Sequence, residues 1–448
     1  VRPETLAESL PARSPRQFST VSTQPPLTTH AAPDRPATTC TVTSAADSGP
    51  GTLRECLENQ VSGDVIIFDP AVFPPASPVT IHVGPERMYL LVEGNITLDA
   101  SNAGVILDGT GVVGEWDPGI GVSSDNNIVR GLQIYNFPGA GIGMIGNNNV
   151  IGGSRLIGSG PMGQGNVLSS NTLGITITGQ GNQIFGNIIG LDAAGTQAMG
   201  NEVGIGLEGQ NNIIGSLEAG KNNIISASTY EGIGACSYID DGNQIIGNYI
   251  GTDISGTQDR GNLGVGVYVE CGAYNTLVQG NLVSANAIGV IVGDHSSDFN
   301  VIIGNRIGVT LDGNQPLPNG SMGIYVGGPA YTRIGGTAPG EGNLVGTGYV
   351  EVGGICSGNT LVHGNRIGLN AAGTAVLPNA GSVTLYGSTR TIVGGATPAE
   401  ANIVTTLGNF SLDVRSPTNV IAGNYLGLAS AGVTPLATAG FQILSMRD

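Results

Sequence analysis

A short motif returns along most of this chain: glycine, an aliphatic residue, a small residue, another aliphatic residue. It appears as Gly119-Ile120-Gly121-Val122, Gly141-Ile142-Gly143-Met144, Gly174-Ile175-Thr176-Ile177 and Gly204-Ile205-Gly206-Leu207. It continues as Gly232-Ile233-Gly234-Ala235, Gly264-Val265-Gly266-Val267, Gly289-Val290-Ile291-Val292 and Gly323-Ile324-Tyr325-Val326. The starts lie 22, 33, 30, 28, 32, 25 and 34 residues apart. Each copy alternates in hydrophobicity as a short strand does. A polar turn follows, then Asn or Thr, then a second apolar strand such as Asn182-Gln183-Ile184-Phe185 or Asn300-Val301-Ile302-Ile303. Gly-Asn closes the second strand at 186–187, 247–248, 304–305, 364–365 and 423–424, in steps of 61, 57, 60 and 59. Two rungs therefore make one larger repeat. A self-similar period of this size is the mark of a solenoid, whose units stack because none can bury its apolar face alone.

The repeat chemistry selects the kind of solenoid. Glycine accounts for 75 of 448 residues without a collagen triplet, so it serves turns between many short strands. Asn recurs at equivalent places one rung apart. It tolerates the left-handed backbone of a tight turn, and stacked Asn side chains can hydrogen-bond as a ladder. A propeller needs four strands per unit, and a left-handed hexapeptide helix needs a strict six-residue period. Neither pattern is present. The expected fold is all-β: a right-handed parallel β-helix with a short N-terminal strand–helix cap. Segments 141–146 and 204–209 fit a dinucleotide-binding glycine fingerprint, but no βαβ unit surrounds them.

Three segments follow. Residues 1–39 are rich in Pro, Thr and Ser and read as an extended tail. Residues 40–78 form the cap: a strand at Thr41-Val42-Thr43, a turn at Asp47-Ser48-Gly49-Pro50-Gly51, and a short helix from Thr52 with Glu55 at capping-box spacing. A strand at Val65-Ile66-Ile67-Phe68 completes it. Residues 79–448 are the helix proper. The run Thr41-Val42-Thr43-Ser44 with Asp47-Ser48-Gly49-Pro50-Gly51-Thr52-Leu53-Arg54-Glu55 resembles the cap of secreted bacterial right-handed β-helix proteins of the pectate-lyase-like superfamily. The Gly-Asn-x-Ile-Gly-Thr-Asp-x-x-Gly-Thr repeats resemble the same group. That resemblance implies the fold over residues 40–448 and a secreted or cell-surface protein. Its members include lyases, glycosidases and epimerases, so it does not choose an activity.

Charge narrows the partners. The chain carries 16 basic and 33 acidic residues, a net charge of -17, and Lys221 is its one lysine. Nucleic acid is excluded by that balance, since it requires basic surfaces. No apolar run is long enough to span a membrane. Cys40 and Cys56 lie 16 residues apart in the cap and suit a disulfide. Cys236, Cys271 and Cys356 are either buried thiols or include a Cys236–Cys271 bridge between neighbouring rungs. No Cys or His spacing suits a metal. No cofactor is expected, with calcium at Asp192, Asp253 or Asp312 as the one candidate. Turn formation accounts for those three acids equally well.

A ligand groove on a β-helix is lined by turns of successive rungs. Three consecutive turns are long and polar: 236–241, 270–274 and 294–298. They bring Asp240, Asp241, Glu270, Asp294, His295 and Asp298 together as candidate catalytic residues. Stacking would set the carboxylates roughly 5–10 Å apart, the range used by glycosidases. His295 could relay a proton. Glu208, Tyr238, Tyr274 and Tyr331 are candidate substrate-binding residues. The expected activity is binding or cleavage of an extracellular polysaccharide, by a glycoside hydrolase or a polysaccharide lyase if the protein is an enzyme. The lyase lacks a local Arg or Lys base. The alternative is a non-catalytic acidic rod that docks on neighbouring subunits through its N-terminal tail.

Overall fold

The computed structural model describes residues 35–85, 89–114, 116–236, 242–294, 296–354, 357–378, 380–405, 409–414, 418–429 and 440–445. The chain winds as a parallel β-helix whose three faces are sheets of 14, 13 and 11 strands. Sheet 1 runs from Thr39–Val42 to Val420–Ala422, sheet 2 from Val79–His82 to Tyr425–Leu426, and sheet 3 from Tyr89–Leu91 to Ala380–Tyr386. Every paired strand within the three sheets is parallel to its neighbour, as Leu173–Ile177 is to Val203–Leu207. A final pair, Asn409–Val414 and Gly440–Ser445, forms a small sheet of its own. The tail up to residue 34 lies outside the described residues.

Each rung has three strands where the repeat suggested two. The extra strand follows the Gly-Asn turn and is often two residues long, as at Ile188–Ile189 and Ile224–Ile225. Two residues are too few to show an alternating pattern, so periodicity could not reveal it. A rung visits sheet 3, then sheet 1, then sheet 2: Leu173–Ile177, Gln183–Phe185, Ile188–Ile189.

The core is three aliphatic stacks meeting on the axis. Ile175, Ile205, Ile233, Val267, Val290 and Ile324 follow one another in register on sheet 3, each fully buried. Ile184, Ile214, Ile245, Val278 and Ile302 do the same on sheet 1. Each such side chain stabilises the fold by about 1.5–3 kcal/mol relative to exposure.

The leading glycine of the motif has a steric cause. A Cβ at Gly174 or Gly204 would lie 2.4 Å from the carbonyl oxygen of the next rung's glycine. The same position meets a carbonyl oxygen at 2.7 Å at Gly232 and 2.4 Å at Gly289; in the copy that the repeat began at Gly264 it falls two residues later, on Gly266, at 2.8 Å. At this corner sheet 2 turns into sheet 3, and rungs pass too closely for any side chain.

The cap covers the open N-terminal end. Helix α1 (Leu53–Glu58) buries Leu53, Cys56 and Leu57 in the main core. Thr52 accepts from the Glu55 amide at 3.2 Å, but the Glu55 carboxylate accepts from Gly51 N rather than Thr52 N. The reciprocal arm of the expected box is thus one residue displaced. Cys40 and Cys56 are disulfide-bonded, with Cα atoms 5.9 Å apart. Gln60 donates to Leu90 O and accepts from Val92 N, closing the first edge of sheet 3. An exposed edge is thereby given partners it would otherwise seek elsewhere. Arg35 pairs with Asp64, so contacts of the cap begin before Thr39.

Every second rung projects a loop between sheets 2 and 3. Asp192 and Asp253 each accept from two backbone amides of their own loop. Asn370 does the same in a later copy, accepting from Thr374 N and Ala375 N. A neutral residue fills the role, so turn hydrogen bonds suffice to explain the acids. Successive loops join two rungs apart, as Ile254 N donates to Gly195 O and Leu311 N to Gly256 O.

Candidate functional site

The outer face of sheet 3 changes character along its length. Its outward column reads Gly121, Gly143, Thr176, Gly206 and Gly234 in register. It then becomes Tyr268, Ile291, Tyr325 and Glu351. Strands of this sheet contain no Lys, Arg or His, and their only acids are Glu270 and Glu351.

Tyr268 and Glu270 lie two residues apart on the strand Val265–Glu270 and so share its outer side. The Tyr268 phenol acts on the Glu270 carboxylate and favours its charged form. Burial pushes the Glu270 carboxyl above its ordinary range; the Tyr268 hydrogen bond opposes this, while the negative charges of Glu231 and Asp294 reinforce it. Burial also raises Tyr268, helped by Glu270, so the phenol stays protonated. Both are half-buried.

Glu231 precedes the corner glycine of the adjacent rung. Its Oε2 is buried without a hydrogen-bond partner. A buried acceptor left unpaired is expensive, and this one is coupled to Tyr268 and Glu270. Asp294 follows the strand Ile288–Gly293 at φ +73° and is exposed. Val269 pairs with Val292, which brings Glu270 level with Gly293 and leaves Asp294 at the rim.

A disulfide fixes this corner. Cys236 lies opposite Glu270 in the sheet, and it is bonded to Cys271, the residue after Glu270. Their Cα atoms are 4.8 Å apart. Thus the bridging alternative is the one the fold adopts; Cys356 lies outside the described residues.

The structure divides the predicted residues. Glu270 and Asp294 come together. Glu208 is level with Cys236, hence two rungs from Glu270, about 10 Å away at the sheet spacing. Asp298 accepts from Ala330 N at 2.6 Å and is committed to the turn of the next rung. Tyr274 and Tyr331 join a stack through Phe299: ring centroids are 5.0 Å apart for Tyr274–Phe299 and 4.7 Å for Phe299–Tyr331, the latter at 5°. Those rings spend their inner faces on one another. Tyr238, Asp240, Asp241 and His295 lie outside the described residues.

Sequence reasoning missed Tyr268, Glu231 and Phe299. For Tyr268 a signal existed: it is the first bulky residue in a column otherwise glycine or threonine from Gly121 to Gly234. Glu231 carried none, since it lies in a short Tyr-Glu segment between repeats. Farther along the face, burial and the Glu351 carboxylate raise both Tyr325 and Tyr349. Among the described residues no group of His, Cys, Asp and Glu could hold a metal ion.

A half-buried carboxyl shifted upward beside further carboxylates is an arrangement that suits a general acid with a base or nucleophile. No helix among the described residues is long and apolar enough to cross a membrane.

No protein-family model matches the sequence, and no curated protein is similar to it. Among solved structures, the Azotobacter vinelandii mannuronan C-5 epimerase AlgE6 A-module is 15% identical over 90% of this chain and 97% of its own, with a TM-score of 0.38. The Dettilon tailspike protein is 14% identical over 83% of this chain and 64% of its own, with a TM-score of 0.41. A PL6 alginate lyase in complex with a trisaccharide is 10% identical over 91% and 85%, with a TM-score of 0.37. These likenesses assign no role to any residue of this chain.

Proposed function

We propose that this protein binds an extracellular polysaccharide along the outer face of sheet 3 and hydrolyses it beside Glu270. The observation that carries the reading is the cluster of Tyr268, Glu270, Glu231 and Asp294, in which one carboxyl is biased toward its protonated form. Glu270 donates that proton to the glycosidic oxygen as the bond breaks. A carboxylate of Glu231 or Asp294 activates water or attacks the anomeric carbon, and water supplies the new hydroxyl. The separation of the two carboxyls sets the stereochemistry: about 5 Å gives retention, and roughly 6.5–9.5 Å gives inversion. Tyr268 holds Glu270 in place.

A neutral glycan suits this face better than a polyuronate. The chain has a net charge of -17, and the strands of sheet 3 offer no cation to a uronate carboxylate. Like charges repel, and a buried unpaired charge is costly. The side-chain-poor column from Gly121 to Gly234 gives a sugar chain a flat approach to the acids.

The test is product release from a panel of neutral and anionic polysaccharides, scoring reducing ends and unsaturated uronates. Reducing ends from a neutral glycan, abolished by Glu270→Gln, are the expected result. Unsaturated uronates would replace hydrolysis by elimination. Silence on every substrate, with no retention on immobilised glycans, would favour the non-catalytic rod.

A further inference from the structure

The outer face of sheet 1 carries a long, nearly uncharged column of aliphatic residues. Consecutive rungs present Ile213, Gln244, Leu277, Val301, Arg333 and Leu361 in one outward column. Ile392 and Val420 extend it, and Val420 is half exposed. At the other end Gln183, Val150 and Ile128 complete it. Of these eleven positions only Arg333 is charged, and Glu341 neutralises it at 3.0 Å. The column is continuous in register and mainly aliphatic.

Both margins are apolar near its middle. On one side stands the stack of Tyr274, Phe299 and Tyr331, at the turns that lead into this sheet. Phe299 is 40% and Tyr331 51% exposed, at φ +58° and +57°. Neighbouring rungs put Asn211, Gly242, Asn275 and Asn359 at the equivalent left-handed position. A bulky aromatic residue is strained there, and strain of this kind persists at working surfaces. On the other side Leu217 is 67% exposed, and its Cδ2 lies so near Gly280 that a Cβ there would come within 2.8 Å.

We propose that this stripe is a self-association surface, and that its occupant is the same stripe on a second copy of the chain, packed face to face about a two-fold axis. Two arguments select a second copy. The first is charge. Copies with a net charge of -17 repel one another over most of their surface, and a neutral aliphatic strip is where close approach costs least. The second is area. Ten rung spacings at about 4.8 Å span about 48 Å. With its margins the strip is on the order of 15 Å wide, so a pair would bury about 1,400 Å², within the range of stable complexes. A stripe continuous in register can lie against its own reverse about a two-fold axis, as an isologous contact demands.

The experiment is sedimentation velocity of the full chain across a wide concentration range, comparing wild type with Leu277→Arg/Val301→Arg. The expected result is a wild-type dimer whose dissociation constant rises at least about 100-fold in the double variant, as for loss of a central interface pair. Leu217→Lys, on a loop outside the strands, should weaken it less and guards against a folding defect. A wild-type protein that stays monomeric overturns the proposal, and so does a dimer indifferent to all three substitutions. If the monomer instead binds an oligosaccharide that Leu277→Arg/Val301→Arg releases, the stripe belongs to a glycan and the proposal also fails.

Discussion

The turns from sheet 1 to sheet 2 and those from sheet 3 to sheet 1 belong to the same rungs, yet they are built differently. The first set keeps one solution from Asn166 to Asn424. Asn166, Asn187, Asn223, Asn248, Asn281 and Asn305 each pass a backbone amide to the next side-chain oxygen, and the ladder continues through Asn343, Asn365 and Asn402 to Asn424. The second set begins the same way, with Asn127, Asn149, Asn182, Asn212 and Asn243. It then takes Thr at 276, 332, 360 and 391, keeping Asn300 and Asn419 among them, and the hydroxyls of Thr332, Thr360 and Thr391 have no partner. The change falls where the rungs also carry Glu270, Asp294 and the aromatic stack. The ladder thins from Thr276 onward, although the turn of Asp294 and Phe299 still closes on Asn300. One corner holds the coil while the other varies.

The largest effect should come from the variable corner. Glu270→Gln should lower glycan hydrolysis about 10²–10⁴-fold, the contribution of a general acid, while circular dichroism and thermal midpoint stay near wild type. Hydrolysis that survives intact would separate this corner from chemistry.

The frame should respond in the opposite sense, through stability alone. Asn281→Ala strands Asn248 N and Ile245 O in the core, and should cost about 3 kcal/mol in chemical denaturation. Thr360→Ala, in the thinned ladder, should cost about 1 kcal/mol or less. Equal losses would break the comparison.

Removing the second disulfide by Cys236→Ser/Cys271→Ser should cost about 2–4 kcal/mol. It should also move the alkaline limb of the activity profile, where the general acid loses its proton, because the bridge borders Glu270 on both sides. A stability loss with an unchanged pH profile would leave the bridge a fastener only.

The smallest effect is pH dependence. Glu270 has a folded pKa above its unfolded one. The folded state therefore holds the extra proton, and stability from this group falls as pH rises from the ordinary glutamate range through the raised value. Asp99 and Asp253 are lowered by their hydrogen bonds, working against burial. Their contribution grows as pH rises through that lower range and is complete above the ordinary aspartate value. Thermal midpoints should rise through the acid range with the lowered aspartates, and then, above the ordinary glutamate range, show a decline that Glu270→Gln flattens.

Legibility followed the same division. The spacing of glycine and Asn determined the coil, the rung length and the strands of sheets 1 and 3, because each repeat must satisfy the same local geometry. Glu270 and Asp294 were readable as departures from short turns. The two-residue strands of sheet 2 were not, since they are too brief to carry a period. Glu231 and Tyr268 join Glu270 only when rungs from residues 231 and 265 stack in one register, and the sequence does not state which atoms that register buries. The aliphatic stripe was hidden too: its residues lie 22–33 positions apart from Ile128 to Val420, and each alone looks like an ordinary strand residue. Local chemistry repeats along a chain and can be read there; the shift of a carboxyl, a strained aromatic stack and a continuous apolar face exist only where distant rungs are brought to one sheet spacing.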